Sequence, residues 1–252
     1  MRTSIHGAVA LPTVLLLALA GTATAADQAA DLYIYATYHN CDLTRQERAD
    51  QIVEQLDKPV YDAAVADGTL QSWGWLAHHT GGKWRRVLYY MAPSIQGLLD
   101  AQQKIGDQIE AKNEKLSDEF SGICNAHDDY IWKVVAGNIG SAARGGAAFS
   151  VYHACDSMRE EQADELMKKV YAPTLDRMVS DGRLKSWGWN EHIVGGNFRR
   201  MATISAADVK SLMQARGELI EAMYDKNSLS DTFTEACGPH ADYLWEIKFS
   251  NP

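Results

Sequence analysis

The spacing of apolar side chains predicts a strand, a helix and then a hairpin in the early part of the chain. Residues 32–41 are rich in β-branched and aromatic side chains, which is typical of a strand. Apolar side chains then recur at helical spacing over residues 49–63. Two further apolar runs, 70–80 and 83–91, flank a Gly-Gly pair and predict a two-stranded hairpin.

Cap and breaker residues indicate where the first helix begins and ends. Thr44 followed by Glu47 predicts a capping box at its start. Pro59 should kink or split the helix, because proline lacks the N–H that a helix interior needs. Gly68 suits a cap at the end of the helix.

A second helix and a last strand complete the unit. Ser94 should open this helix, and Ser205 with Asp208 should form the matching cap later in the chain. A β-rich run near residues 129–135 predicts the last strand. The predicted order is therefore strand, helix, strand, strand, helix, strand.

The whole pattern occurs twice. Residues 38–42, Tyr-His-Asn-Cys-Asp, return as Tyr-His-Ala-Cys-Asp at 152–156. At the same offset, the Asp-Gly-x-Leu-x-Ser-Trp-Gly-Trp segment at 67–75 returns at 181–189. So many rare residues at one spacing indicate a duplicated domain.

The repeated order of elements is the ferredoxin-like one. Two such units on one chain resemble the dimeric α+β barrel superfamily, and this resemblance of topology covers nearly the whole mature chain. It implies an α+β fold in which the bare faces of two four-stranded sheets pack together within one molecule. Members of the superfamily include cofactor-free monooxygenases, isomerases, haem-dependent enzymes and binding proteins, so the fold alone assigns no activity.

We expect four segments along the chain. Residues 1–25 have a positive start, an apolar run and a small-residue cleavage site, as a signal peptide does. Residues 31–136 should form the first repeat, 137–147 a Gly/Ala linker and 148–249 the second repeat. A signal peptide predicts export, so the expected location is periplasmic or secreted.

The predicted topology brings the cysteines together in pairs. With strands in the spatial order 4-1-3-2, the first strand ends beside the point where the last begins. Cys41 lies at the end of the first strand and Cys124 shortly before the last, and Cys155 and Cys237 repeat this arrangement. Disulfides Cys41–Cys124 and Cys155–Cys237 are therefore predicted, in keeping with export.

Histidines flank each cysteine pair, which leaves a metal site as the alternative. His39 and His127 accompany the first pair, and His153 and His240 accompany the second. Two cysteines and two histidines per repeat could bind zinc or copper, whereas the spacing fits haem less well. The disulfide interpretation is favoured, and no cofactor is expected.

A candidate catalytic pair lies near the turn of each hairpin. His78 and Arg85 in the first repeat correspond to His192 and Arg199 in the second. The histidine could act as a general base, and the arginine could stabilise negative charge that develops on a carbonyl or enolate. A solvated strand edge, where such residues have no task, is the alternative.

Aromatic and basic residues near these pairs are candidates for binding a ligand. Trp73 and Trp75 alternate with Gly74, so both indoles should share one face, either as a ligand platform or as core beneath the helices. Gly74, on the other face, would allow close approach of a ligand or of the facing sheet. The predicted ligand-binding residues are Tyr38, Trp73, Trp75, Arg86, Tyr152, Trp187, Trp189 and Arg200.

Composition and charge limit the partners. The 252 residues carry 24 Lys and Arg against 33 Asp and Glu, which gives a net charge of −9. Such an acidic chain is a poor partner for nucleic acid and for an anionic membrane. No G-x-S-x-G, Walker A, dinucleotide-binding or H-E-x-x-H motif occurs. Because the two repeats can cover each other's sheets, a monomer is expected.

Two functions fit these observations. The first is an exported, cofactor-independent enzyme of the isomerase or monooxygenase type, which would use a His/Arg pair on a small aromatic or apolar substrate. The second is a non-enzymatic protein that holds a metal, haem or small ligand at the His/Cys cluster of each repeat. In both cases the expected partner is a small molecule, and nothing in the sequence excludes a purely structural module.

Overall fold

The computed structural model of the chain describes residues 32–138, 143–224 and 229–252. The predicted signal peptide, 1–25, and part of the predicted linker, 137–147, lie outside these ranges. Within them, no helix has an apolar run long enough to cross a membrane.

Both repeats follow the predicted order, with each first helix divided in two. The elements of the first repeat are β1 (Tyr33–Asn40), α1 (Gln46–Ile52), α2 (Lys58–Ala66), β2 (Ser72–Gly81), β3 (Arg86–Ala92), α3 (Ile95–Ile123) and β4 (Ala126–Asn138). Those of the second repeat are β5 (Ala147–His153), α4 (Glu160–Leu166), α5 (Ala172–Ser180), β6 (Ser186–Val194), β7 (Arg200–Ala206), α6 (Val209–Tyr224), α7 (Leu229–Cys237) and β8 (His240–Asn251).

The eight strands form one closed barrel. Within each repeat the spatial order is the predicted 4-1-3-2, namely β4-β1-β3-β2 and β8-β5-β7-β6. The repeats join edge to edge through the antiparallel pairs β2–β8 and β4–β6. Every strand therefore has two hydrogen-bonded neighbours, and this barrel has no free edge. The predicted fold, two ferredoxin-like repeats within one α+β barrel, is confirmed.

The proline in each first helix accompanies a change of helical register. Val53–Asp57 and Met167–Tyr171 are π-helical turns directly before α2 and α5. Pro59 follows as the second residue of α2, and Pro173 occupies the same position in α5. Proline has no N–H to donate, so the helix already lacks one backbone hydrogen bond at this point. The wider hydrogen-bond spacing of the π turn occurs where that bond is missing. Pro59 was expected to kink or split its helix; the helical backbone continues through this point, and the hydrogen-bond spacing changes there.

Three of the predicted helix caps are present. The Ser94 hydroxyl oxygen accepts a hydrogen bond from Gly97 N at 3.0 Å and so caps α3. Asp208 accepts one from Ser211 N at 2.8 Å at the start of α6. Gly68, just after α2, has a φ of 78°, the left-handed conformation that suits a helix end.

Two predicted caps are wrong. The capping box of Thr44 and Glu47 does not form, because α1 begins after Arg45 and no side chain caps it. Thr44 is engaged elsewhere, since its N–H and its hydroxyl both donate to Asp42 Oδ1 at 2.8 Å. Ser205 lies within β7 instead of at a helix start, and its hydroxyl bonds a serine hydroxyl of β6 at 2.7 Å.

Both predicted disulfides are present. Cys41–Cys124 and Cys155–Cys237 connect the end of the first strand of each repeat to the start of its last strand, with Cα atoms 3.9 and 4.0 Å apart. Because all four cysteines are oxidised, they cannot supply the thiolate ligands that the alternative metal sites would need. The described residues also contain no cluster of three or more side chains placed to bind a metal. Disulfides of this kind are typical of an oxidising compartment.

Candidate functional site

Strand alternation divides the side chains of the barrel into an outer set beneath the helices and an inner set. On β2, Trp73 and Trp75 belong to the outer set. Their indole N–H groups donate to Asp62 at 2.9 Å and to Asp50 at 2.8 Å on the covering helices. Leu76 belongs to the inner set and lines a cavity.

A buried cluster of aspartate, arginine and tryptophan connects the first helix of each repeat to the sheet. Asp50 on α1 accepts hydrogen bonds from Trp75 at 2.8 Å and from Arg86 at 2.7 and 2.8 Å. The second repeat has the same cluster in Asp164, Trp189 and Arg200, at 2.7 and 2.8 Å. These tryptophans and arginines, which were predicted to bind a ligand, thus lie between helix and sheet.

Histidines of the outer set lie beside the disulfides. Among the described residues, His39 is buried with no hydrogen-bond partner at either ring nitrogen. Burial, with a smaller contribution from His127, lowers the pKa of His39 to about 3. His153 bonds the carbonyl oxygen of Cys237 at 2.8 Å, and burial lowers its pKa to about 4. His127 and His240 are half-exposed beside them, with ring centroids 5.9 and 5.6 Å away.

The predicted catalytic histidines differ in their bonding. His192 Nδ1 lies 2.8 Å from a guanidinium nitrogen of Arg199, which also pairs with Glu160 at 2.7 Å. Since a guanidinium only donates, the Nδ1 lone pair of His192 is occupied and is not free to remove a proton. His78 Nε2 lies 3.0 Å from the carbonyl oxygen of Gly81 and donates to it, which leaves Nδ1 as a base. Burial lowers the pKa of both histidines.

Arg85 bonds the hairpin backbone. Its guanidinium donates to the carbonyl oxygens of Gly82 at 2.8 Å and Trp84 at 3.2 Å. Both histidines of the predicted pairs contact rings inside the barrel. The ring centroids of His78 and Trp245 are 6.1 Å apart, and those of His192 and Trp132 are 6.0 Å apart. A catalytic role for these pairs stays a prediction.

Aromatic rings fill the barrel interior next to these histidines. Tyr38 on β1 meets Tyr152 on β5 from the opposite side of the barrel, with ring centroids 5.5 Å apart. Trp84 stacks on Tyr38 at 4.2 Å and on Tyr243 at 4.9 Å. Tyr130 and Phe198 complete this aromatic cluster. The cluster closes the interior at the disulfide end.

Beyond the aromatic cluster, the barrel encloses a cavity of about 620 Å³. The wall from the first repeat is mostly apolar and includes Leu32, Ile34, Ala36, Leu76, Val87 and Met91. The wall from the second repeat carries hydroxyl and amide groups on Ser150, Ser186, Asn190, Thr203 and Ser205. Of the residues predicted to bind a ligand, Tyr38, Tyr152 and Trp187 line this cavity.

The two walls differ because equivalent positions in the two repeats hold different residues. On β3, Tyr89 lies opposite Gly74 and covers it so closely that an added Cβ would come within 2.5 Å of the ring. The counterpart on β7 is Thr203, opposite Gly188. Thr203 also lies close to its glycine, since Thr203 Oγ1 would be 2.9 Å from an added Cβ on Gly188, but its side chain is shorter and Gly188 lines the cavity. The glycine was expected to allow close approach of a ligand or of the facing sheet, and in both copies a side chain of the neighbouring strand lies close against it.

The cavity opens at the end away from the disulfides. Leu32, Pro93 and Asn138 border it there, at the ends of their strands, and Arg144 lies beside them. As far as the chain is described, the lining contains no histidine, cysteine or acidic residue. The described lining therefore supplies no histidine, cysteine or carboxylate that could hold a metal ion.

Comparisons with known proteins reveal structural neighbours only. No protein-family model matches the chain, and no curated protein matches it either. A structure from Fusobacterium nucleatum, described as a "putative monooxygenase", has a TM-score of 0.62 at 8% identity and covers 88% of this chain and 94% of that one. The chain has the dimeric α+β barrel fold.

Two further solved structures with the dimeric α+β barrel fold are also similar to this chain. A "putative monooxygenase" from Lactobacillus acidophilus has a TM-score of 0.59 at 9% identity, with coverage of 88% and 96%. A mutant chlorite dismutase from Candidatus Nitrospira defluvii has a TM-score of 0.52 at 8% identity, with coverage of 87% and 92%. At such low identity the likeness extends to the fold alone.

Sequence reasoning missed most of the cavity in this dimeric α+β barrel. It concentrated on the disulfide end, whereas Arg144, Thr203 and Ser150 line the interior nearer the opposite end. One signal was available: Leu76 becomes Asn190 in the second copy, on the strand face opposite the tryptophans. An inward position that is polar in only one repeat indicates a one-sided binding surface.

The Asp164 cluster predicts a large stability effect. Asp164→Ala should lower the free energy of unfolding by about 2–3 kcal/mol, because the buried Trp189 indole would lose its acceptor and Arg200 would keep only Glu160, at 3.0 Å. Glu165→Ala is the control on the same helix, since Glu165 pairs with Lys169 at the surface, and should leave the free energy of unfolding nearly unchanged. Urea unfolding measures both variants; equal losses would contradict the prediction.

Burial of neutral His39 predicts a pH-dependent stability. Its folded pKa of about 3 lies below the unfolded value of about 6.5, so only the unfolded chain takes up the proton as the pH falls through that window. Between pH 7 and pH 5, His39→Leu should therefore lose about 2 kcal/mol less stability than the wild type. Urea unfolding at both pH values tests this.

Proposed function

We propose that this protein binds a small, largely apolar, planar molecule in the barrel cavity. The cavity with one apolar and one polar wall carries the proposal. Its volume of about 620 Å³ lies in the range of small-molecule sites and suits a ligand of two or three rings. The first repeat would contact the ring system, while Asn190 and Thr203 would bond a polar substituent.

The proposal includes export. The two disulfides and the signal-like residues 1–25 support a periplasmic or secreted location. The protein would act as a monomer, because the edge strands of its two sheets pair within the chain. Its acidic charge of −9 favours neither nucleic acid nor an anionic membrane as a partner.

A variant that copies the first repeat tests the cavity. The double variant Thr203→Tyr/Ser205→Met gives β7 the side chains that β3 has at the equivalent positions, Tyr89 and Met91. Because these larger side chains should fill the cavity, binding of neutral N-phenyl-1-naphthylamine should weaken about tenfold or more. The control Thr203→Val/Ser205→Ala keeps the space and should bind within about threefold of the wild type. Fluorescence titration measures the affinities. Equal affinity in the filled variant would place the probe elsewhere.

The second candidate function is oxygenation of the bound molecule without a cofactor. Two observations favour it: the enclosed cavity is largely apolar, and two solved structures with this fold are described as monooxygenases. The described lining holds no histidine or carboxylate base, so the substrate would have to ionise through its own acidity. A planar ketone with an acidic CH₂ would then react as R₂CH₂ + O₂ → R₂C=O + H₂O.

Anthrone, a planar three-ring ketone with an acidic CH₂, tests this second function. The wild type should consume one O₂ per anthraquinone formed, and the filled variant Thr203→Tyr/Ser205→Met should lose this activity. An oxygen electrode and absorbance measure the two quantities. Activity that survives in the filled variant but disappears in His78→Gln would instead favour chemistry at the predicted His/Arg pair.

A further inference from the structure

Arg144 is a cation at the mouth of an otherwise neutral cavity. It lies three residues before β5, is half-buried, and lines the cavity. Among the described residues, its guanidinium reaches only neutral groups: Nη2 lies 3.5 Å from Ser72 Oγ and 3.8 Å from Met91 Sδ. Both contacts are long, so the guanidinium retains donors that point to no strong acceptor.

The charge of Arg144 is uncompensated within the described part of the chain. Arg86 and Arg200, which line the helix–sheet layer, bind carboxylates at 2.7 to 3.0 Å. No acidic residue of the described ranges forms an ion pair with Arg144, although the chain carries 33 acidic residues. A half-buried guanidinium next to an apolar surface gains from a counter-charge, and no carboxylate of the described residues is placed to supply it.

We propose that the cavity selects an anionic ligand: an aromatic ring system with one carboxylate, sulfonate or phenolate group that pairs with Arg144. This inference rests on the proposed function and adds charge and orientation to it. The anionic group would lie at the mouth, beside Ser72, and the rings would extend inward between Leu76 and Asn190. No acidic side chain in the described lining would repel the anion.

Two fluorescent probes test the proposal on the full chain with intact disulfides. N-phenyl-1-naphthylamine is neutral, and 8-anilinonaphthalene-1-sulfonate adds one sulfonate to the same ring system. Arg144→Gln should weaken sulfonate binding about tenfold or more, because a charge-assisted hydrogen bond is lost. The same change should alter neutral binding by less than about twofold. Arg144→Lys should restore most of the sulfonate affinity.

The matched control is Arg177→Gln. It removes an exposed arginine on α5 whose side chain, among the described residues, bonds a threonine hydroxyl at 3.4 Å, and it should affect neither probe. If neither probe binds the wild type, the proposed function itself fails. If both bind and Arg144→Gln weakens both equally or neither, the anion assignment is overturned and the proposed function stands. Sulfonate affinity that is unchanged in Thr203→Tyr/Ser205→Met would also overturn it, since the anion would then lie outside the cavity.

Discussion

The pairing of sheet edges between the two repeats is the constraint on which the rest of the molecule depends. Each repeat alone would expose β2 and β4, or β6 and β8, as unpaired edges. The β2–β8 and β4–β6 ladders satisfy all four at once and close the barrel. Closure turns the inner faces of both sheets toward one shared interior. Whatever the inner side chains do not fill becomes a cavity that both repeats line.

Stability and recognition are thereby assigned to different faces of the same strands. The outer face carries the Asp50–Arg86 and Asp164–Arg200 clusters, which both repeats retain. The inner face holds the aromatic cluster at one end and the cavity at the other. Because alternation separates the two faces, residues such as Thr203 can differ between copies without disturbing the contacts that connect helices to sheet.

The sequence was sufficient for the fold but not for the position of the cavity. Local periodicity and the duplication predict the strand order, and the strand order places Cys41 beside Cys124. Which end of the barrel is filled depends on contacts such as Tyr38 with Tyr152, which join rings from different repeats across the barrel. No local pattern encodes such a contact. Arg144 likewise lies in a Gly-rich connection without periodicity, so nothing in its neighbours predicts where its side chain lies.

Fusion of the repeats into one chain explains why the cavity can be one-sided. In a symmetric homodimer of such units, the same residue would occupy both walls, so that Leu76 would face Leu76 or Asn190 would face Asn190. A single chain has no such constraint, and its cavity combines an apolar wall with a polar one. A ligand with distinct apolar and polar faces can then bind in one orientation instead of two equivalent ones. Arg144 strengthens this asymmetry, because a single connection between two repeats has no symmetric counterpart.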